Sequence, residues 1–175
     1  SKGSSAVAGA AYQAGEKLFS EYDQKSKDHR RKQPEVVYTE ILLPANAPPE
    51  YADRATLWNS AEEAEKQWNA QLARRFVLAL PREVPLEKCP QMLREYCEEH
   101  FVSKGMCCDF AIHDPDPPGH NPHCHIMLTM RALDENGKWM PKSRKVYDLD
   151  ENGERIRLPS GRWKSHKEDT VDWNE

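Results

Sequence analysis

The sequence contains no Cys-x-x-Cys pair, and its five cysteines are an odd number without framework spacing. That argues against a disulfide-stapled secreted domain. It also argues against a closed Cys/His zinc site, since the adjacent Cys107 and Cys108 point to opposite faces of a strand. No apolar run approaches membrane length and no signal peptide is recognisable, so no membrane contact and a reducing, cytoplasmic setting are expected. A global basic balance is missing too. With a formal charge of −4, overall composition carries no signature for nucleic acid. Internal repeats are absent: Asp-Glu-Asn-Gly occurs at 134–137 and 150–153, which predicts two hairpin turns but is too short to be a repeat.

What is present fits one soluble domain of 175 residues, 38% hydrophobic and 31% charged. Residues 4–20 are alanine-rich. Ser4 or Ser5 can cap a helix, and Val7, Ala11, Ala14 and Leu18 keep helical spacing. Residues 21–33 read as a polar, basic loop, and 35–43 (EVVYTEILL) as a strand ended by Pro44. Residues 53–76 carry Leu57, Ala61, Ala64, Trp68, Leu72 and Phe76 at helical steps. Residues 75–80 read as a strand, and 85–102 as a second long helix with Leu86, Cys89, Leu93, Cys97 and Phe101 on one face. Residues 131–175 are polar and turn-rich. The order predicts an α+β fold, with helices packed on a largely antiparallel sheet.

The chemistry concentrates at residues 113–130, HDPDPPGHNPHCHIMLTM. Residues 107–113 and 123–130 read as strands. The Pro- and Gly-rich stretch 114–122 between them favours a reversal. Period-two alternation puts His123 and His125 on one face, and His113 can stand opposite them. Three such imidazoles, their ring nitrogens within about 4 Å of one another, suit a divalent ion with open positions for substrate. A lone strand histidine is ordinarily a core or surface residue, and it is the third one that shifts the reading. His120 is a fourth, weaker ligand candidate in the loop.

Basic residues cluster at 25–32 (KSKDHRRK), 142–145 and 162–167. Each alone is a solvated run; three beside a metal site suggest an anionic partner, with Arg30, Arg31 and Lys32 as phosphate contacts. Tyr12 is either a packing residue or a hydroxyl exposed beside substrate. Joined to the histidines, it suggests phosphoryl transfer with tyrosine as nucleophile and a metal that polarises a phosphate oxygen.

The segments AAYQAGEKL, YTEILLP and HNPHCHIMLTMR, in that order, closely resemble the MobA/MobL group of plasmid mobilisation relaxases, which are HUH endonucleases. The resemblance covers essentially the whole chain. It implies a relaxase-like α+β fold and strand-specific nicking of single-stranded DNA at an origin of transfer, among other relaxosome proteins. It further implies a covalent 5′-phosphotyrosine on Tyr12 and a divalent ion, commonly Mg²⁺ or Mn²⁺, on His113, His123 and His125. Glu40, inside YTEILLP, is read equally as a base or orienting group and as a solvent-facing strand residue. Two departures stand out. Relatives often carry acids near positions 75 and 77, where this chain has Arg75 and Val77, so no catalytic role is carried over there. Relatives also begin with a strand ahead of residue 1, so the sheet is expected to lack its first strand, and the chain to be the N-terminal part of a longer protein.

Two rival readings come from other classes. A cupin-type oxygenase or another three-histidine hydrolase needs an acid soon after the His-x-His pair. The nearest here are Asp134 and Glu135. A non-catalytic, metal-containing DNA-binding module needs no nucleophile at Tyr12.

Overall fold

The computed structural model describes residues 5–115 and 121–173. The sequence reads as one domain; the backbone groups into two compact units, Ser1–Trp139 and Met140–Glu175. Among the described residues no helix is long and apolar enough to cross a membrane.

The first unit is built on a four-stranded antiparallel sheet in the order β3-β5-β6-β4. The strands are β3 (Val36–Leu42), β4 (Arg74–Ala79), β5 (Cys108–His113) and β6 (His123–Leu128). Every residue of β5 is buried, the polar Asp109 and His113 included, as befits a central strand covered on both faces. Cross-strand partners share a face. One face therefore carries Asp109, Ala111 and His113 with His123, His125 and Met127, and the other carries Phe110, Ile112, Cys124 and Ile126.

Helices cover both faces. On the histidine face lie α1 (Ala6–Ala14) and α2 (Arg54–Glu63); on the other lies α3 (Cys89–His100), which buries Cys89, Leu93 and Cys97 as its spacing predicts. The buried side of α1 is Ala6, Val7, Ala10, Ala11 and Ala14. Such small side chains let the helix axis approach its neighbours closely. Ser5 caps α1 by accepting from the Ala8 amide at 3.2 Å, and Glu62 of α2 accepts from both Ser5 Oγ (2.7 Å) and the Val7 amide (3.1 Å).

Three expectations are corrected. The first helix does not run to Leu18. Gly15 ends it in the left-handed region (φ 65°), where a Cβ would also stand 2.8 Å from the Gln33 backbone. Residues 21–33 are not simply a loop. A hairpin of β1 (Lys17–Ser20) and β2 (Lys25–Asp28) precedes a 3₁₀ turn, Arg30–Glu35. The β2 residues KSKD have no β-branched or alternating signal, so their pairing is a backbone matter invisible in the pattern. Nor does the helix predicted over 53–76 pass Glu63. Glu65 is buried in an ion pair with Arg131 (2.8 Å) while Trp68 is 71% exposed, so helical spacing there was coincidental.

The second unit pairs β7 (Ser143–Tyr147) with β8 (Ser165–Asp169) and adds two bridges, Leu149–Arg155 and Arg157–Trp163. Both Asp-Glu-Asn-Gly stretches form the turns predicted for them. Asp134 and Asp150 each accept two backbone amides at 2.8–2.9 Å, and Gly137 and Gly153 have φ of 74° and 80°. Lys145 and Arg155 both stand over the Tyr147 ring, at 4.8 and 4.1 Å from its centroid.

One polar tie of the first unit centres on a carboxylate with no exposed surface. Asp109 on β5 accepts from Arg54 Nε (2.9 Å), Arg54 Nη2 (3.1 Å) and Trp58 Nε1 (2.9 Å). Burial opposes the Arg54 charge, and Asp109 with Glu16 outweighs it, so the guanidinium pKa is raised. Asp109→Ala leaves the buried Arg54 with Glu16 (2.8 Å) as its remaining charged partner and removes the acceptor of Trp58 Nε1. A loss of about 3–5 kcal/mol is expected, measured as the shift in urea midpoint at constant m-value; a loss under about 1 kcal/mol would show that the pair does not organise the unit.

Candidate active site

The three histidines come together because of register. His113 ends β5 directly opposite His123, which starts β6, and His125 pairs with Ala111 on the same face. Ring centroids are 4.4 Å apart for His113–His125, 4.9 Å for His123–His125 and 5.4 Å for His113–His123. One ligand nitrogen from each lies within 4.8 Å of the others. This is a little wider than the expected spacing. Ligands at about 2.0–2.2 Å from one ion stand roughly 3–3.5 Å apart, so small ring rotations close the set. His120 lies outside the described residues.

The hydrogen bonds assign the protons. His113 Nε2 is 2.6 Å from the Gln13 carbonyl and His123 Nδ1 is 2.9 Å from the Asn121 carbonyl. A carbonyl can only accept, so both nitrogens carry hydrogen, and His113 Nδ1 and His123 Nε2 keep their lone pairs. His123 Nε2 and His125 Nε2 face each other at 3.1 Å. At that distance two lone pairs repel unless a proton or a cation lies between them. Burial pushes His113 below its ordinary value, and nearby His123 adds to this. Burial, then His113 and His123, bring His125 down to about 4. Neutral imidazoles with aimed lone pairs and a half-exposed rim suit a divalent ion that retains open positions.

Tyr12 stands beside this cluster. It is 40% exposed, between the buried Ala11 and Gln13. Its ring is edge-on to His125 (6.1 Å between centroids) and to His29 (5.6 Å), and Lys32 Nζ lies 5.7 Å from the ring centre. A cleft of 210 Å³ joins Gly9, Tyr12 and Gln13 of α1 to Arg75, Val77 and His125 of the sheet. Gln13 locks the arrangement. Its side chain donates to the Asp109 carbonyl at 3.0 Å while its own carbonyl takes the His113 ring.

Glu40 is not among these groups. It pairs in register with Phe110, so it lies on the opposite sheet face. There Arg94 Nε grips both its oxygens (2.8 and 3.0 Å), and the Tyr38 hydroxyl donates to it at 2.9 Å. Its carboxylate is thus an ion-pair partner on the face away from the histidines, and not the solvent-facing strand residue of the second reading. The basic run is also partly spoken for. Arg30 makes a two-pronged bond to Asp28 (3.0 and 2.7 Å) and Lys32 binds Glu35 (3.0 Å), while Arg31 is exposed. Sequence reasoning missed His29, Gln13 and Asp109. His29 was hidden inside a charged run, and the other two gain their roles only across long sequence separations.

Together these features define an α+β domain with a three-histidine site and a helix-borne tyrosine at its rim. The chain belongs to the MobA/MobL family, whose model matches residues 4–175. It is 39% identical over 170 residues to the conjugal transfer protein TraA of Agrobacterium fabrum, covering 91% of this chain and 15% of that protein. It is also 39% identical over 158 residues to the probable mobilization protein MobA of Bifidobacterium longum, covering 89% of this chain and 28% of that one. The chain thus spans less than a third of the length of these relatives. A solved structure described as "Molecular Basis of Vancomycin Resistance Transfer in Staphylococcus aureus" superposes with a TM-score of 0.78 at 30% identity, covering 99% of this chain and 76% of that one.

The histidine environment makes a pH prediction for the metal-free protein. Unfolded, His125 titrates near 6.5; folded, it titrates near 4. Between those values the unfolded chain binds more protons at this position, so His125 makes stability rise with pH across that window and adds no slope above it. Thermal midpoints should follow this curve, and His125→Gln should reduce its slope, leaving the part due to His113, whose pKa burial also lowers. An unchanged slope in the variant would place the titrating group elsewhere.

Proposed function

We propose that this chain nicks one strand of DNA at a plasmid origin of transfer, by transesterification through Tyr12, working in the cytoplasm with other mobilisation proteins. The carrying observation is the shared cleft: an exposed tyrosine and the rim of a three-histidine cluster open on the same 210 Å³ space. The names of the relatives, conjugal transfer and mobilization proteins, support the biological setting.

The phenol oxygen of Tyr12 attacks phosphorus. An Oη–P bond forms while the bond from phosphorus to the 3′ oxygen breaks. The phenol proton is lost to solvent, and the departing 3′ oxygen takes one up. The product is a 5′-phosphotyrosine that keeps the phosphodiester energy for religation. A divalent ion, Mg²⁺ or Mn²⁺, held by His113, His123 and His125, supplies Lewis-acid polarisation of a phosphate oxygen when bound. Lys32 Nζ, 5.7 Å from the centre of the Tyr12 ring, places a cation beside the attacking group where an anionic phosphate would lie. The His113–Gln13 bond holds α1 so that Tyr12 meets the rim of the cluster.

The deciding experiment is adduct formation on single-stranded oligonucleotide with Mn²⁺, resolved on a denaturing gel. Tyr12→Phe should keep folding and DNA binding and lose adduct and nick together. His123→Ala should lose both activity and Mn²⁺ affinity. Tyr22→Phe should leave nicking intact, because Tyr22 lines a separate groove with Phe19, Glu21 and Glu63. A mobility shift without any adduct would identify a binding module instead.

Phosphate contacts of the basic run should fall mainly on Arg31, since Arg30 and Lys32 already hold carboxylates. Arg31→Ala should reduce the log–log salt slope of single-stranded binding by about 0.7, and Arg30→Ala by less. Equal slopes for wild type and Arg31→Ala would remove this segment from the DNA interface.

A further inference from the structure

Arg75 lies on edge strand β4, on the sheet face that carries the histidines. The register sets it beside Met127 and sets Val77 beside His125, so Arg75 is one same-face step from the residue opposite His125. Its guanidinium rests on α1 at Gly9. A Cβ at position 9 would overlap Arg75 Nη1 and stand 3.1 Å from its Cζ and 3.5 Å from Met127 Sδ. Gly9 and Tyr12 are three residues apart on α1 and so share a helix face. Arg75, Gly9, Tyr12 and His125 line one cleft, whose walls include no carboxylate among the described residues. Its floor is apolar at Val77, which is 55% exposed. The cleft thus brings a cation, a phenol and a histidine of the cluster to one space between helix and sheet.

We propose that Arg75 is a phosphate-holding residue of the reaction, its guanidinium engaging a non-bridging oxygen of the phosphodiester that Tyr12 attacks. The inference rests on the reading of Tyr12 as nucleophile. An anionic phosphodiester repels an incoming phenolate, and a cation fixed beside phosphorus offsets that repulsion where charge accumulates. Arginine suits the task because it stays charged, presents two parallel N–H donors and neither gives nor takes a proton. The atom balance of the Tyr12 step is therefore unchanged. Gly9 becomes intelligible as well. Glycine within a helix is unfavourable compared with alanine, and here it opens the space that the guanidinium fills.

Four variants test this: Arg75→Gln, Arg75→Lys, Gly9→Ala and Tyr12→Phe. Each is measured for thermal midpoint, for the adduct rate on a random-sequence single-stranded oligonucleotide pool with Mn²⁺, and for the salt dependence of binding to that pool. Arg75→Gln should slow the adduct by about a hundredfold to a thousandfold and lower the salt slope by about 0.7. Arg75→Lys should recover the slope and only part of the rate, because a lone ammonium lacks the fork. Gly9→Ala should slow the adduct while its midpoint holds or rises, since only the mobile tip of Arg75 must yield. Wild-type rates in both Arg75→Gln and Gly9→Ala would overturn the role of Arg75 and leave Tyr12 standing. A wild-type protein without adduct, or a Tyr12→Phe protein with one, would overturn the nucleophile reading and the Arg75 proposal with it.

Discussion

Asp109 is a carboxylate with no exposed surface, and the first unit is arranged to satisfy it. Its side chain takes three hydrogen bonds from Arg54 and Trp58, which pins α2 to the central strand. Its backbone carbonyl takes the Gln13 amide, which pins α1. Gln13 in turn offers its carbonyl to His113, four residues further along the same strand. One strand therefore sets the position of both helices and the tautomer of one candidate ligand. Leaving any of these groups unpaired in the interior costs more than the bond itself contributes, which is why the network is specified so tightly.

Close approach is the second constraint. The small buried face of α1 and its contact with Arg75 at Gly9 bring a helix to the edge of the sheet. Gly15 then turns the chain where a side chain would meet the Gln33 backbone. This turn sends residues 17–28 into a hairpin rather than a longer helix, and the 3₁₀ turn that follows carries Lys32 back over Tyr12. The surroundings of the tyrosine are thus assembled from three separate local decisions.

Charge is distributed by the same logic. Glu40, Glu65 and Asp109 are each held by an arginine, so these acids serve structure. The cleft around Tyr12 is left to arginine, histidine and apolar walls. Among the described residues that line this cleft there is no carboxylate, and three imidazoles that could hold a metal ion stand at and beside its rim.

Several features follow from sequence alone. The two strands flanking the proline-rich stretch, the shared face of His123 and His125, the apolar stripe of α3 and the two Asp-Glu-Asn-Gly turns are local, and period-two, period-3.6 and turn chemistry express them directly. The resemblance of three ordered segments carried the family, which the family match bears out. Tertiary structure alone decided the rest. The end of α2 depends on Arg131 capturing Glu65 from 66 residues away. The pairing of β2 depends on backbone bonds that its polar side chains do not announce. The sheet face that Glu40 occupies depends on the register of β3 against β5, where a shift between Val36 and Tyr38 changes the count. The meeting of Gly9 with Arg75 joins residues that no local pattern links. Periodicity reports which side of an element is buried; only packing decides what that side meets.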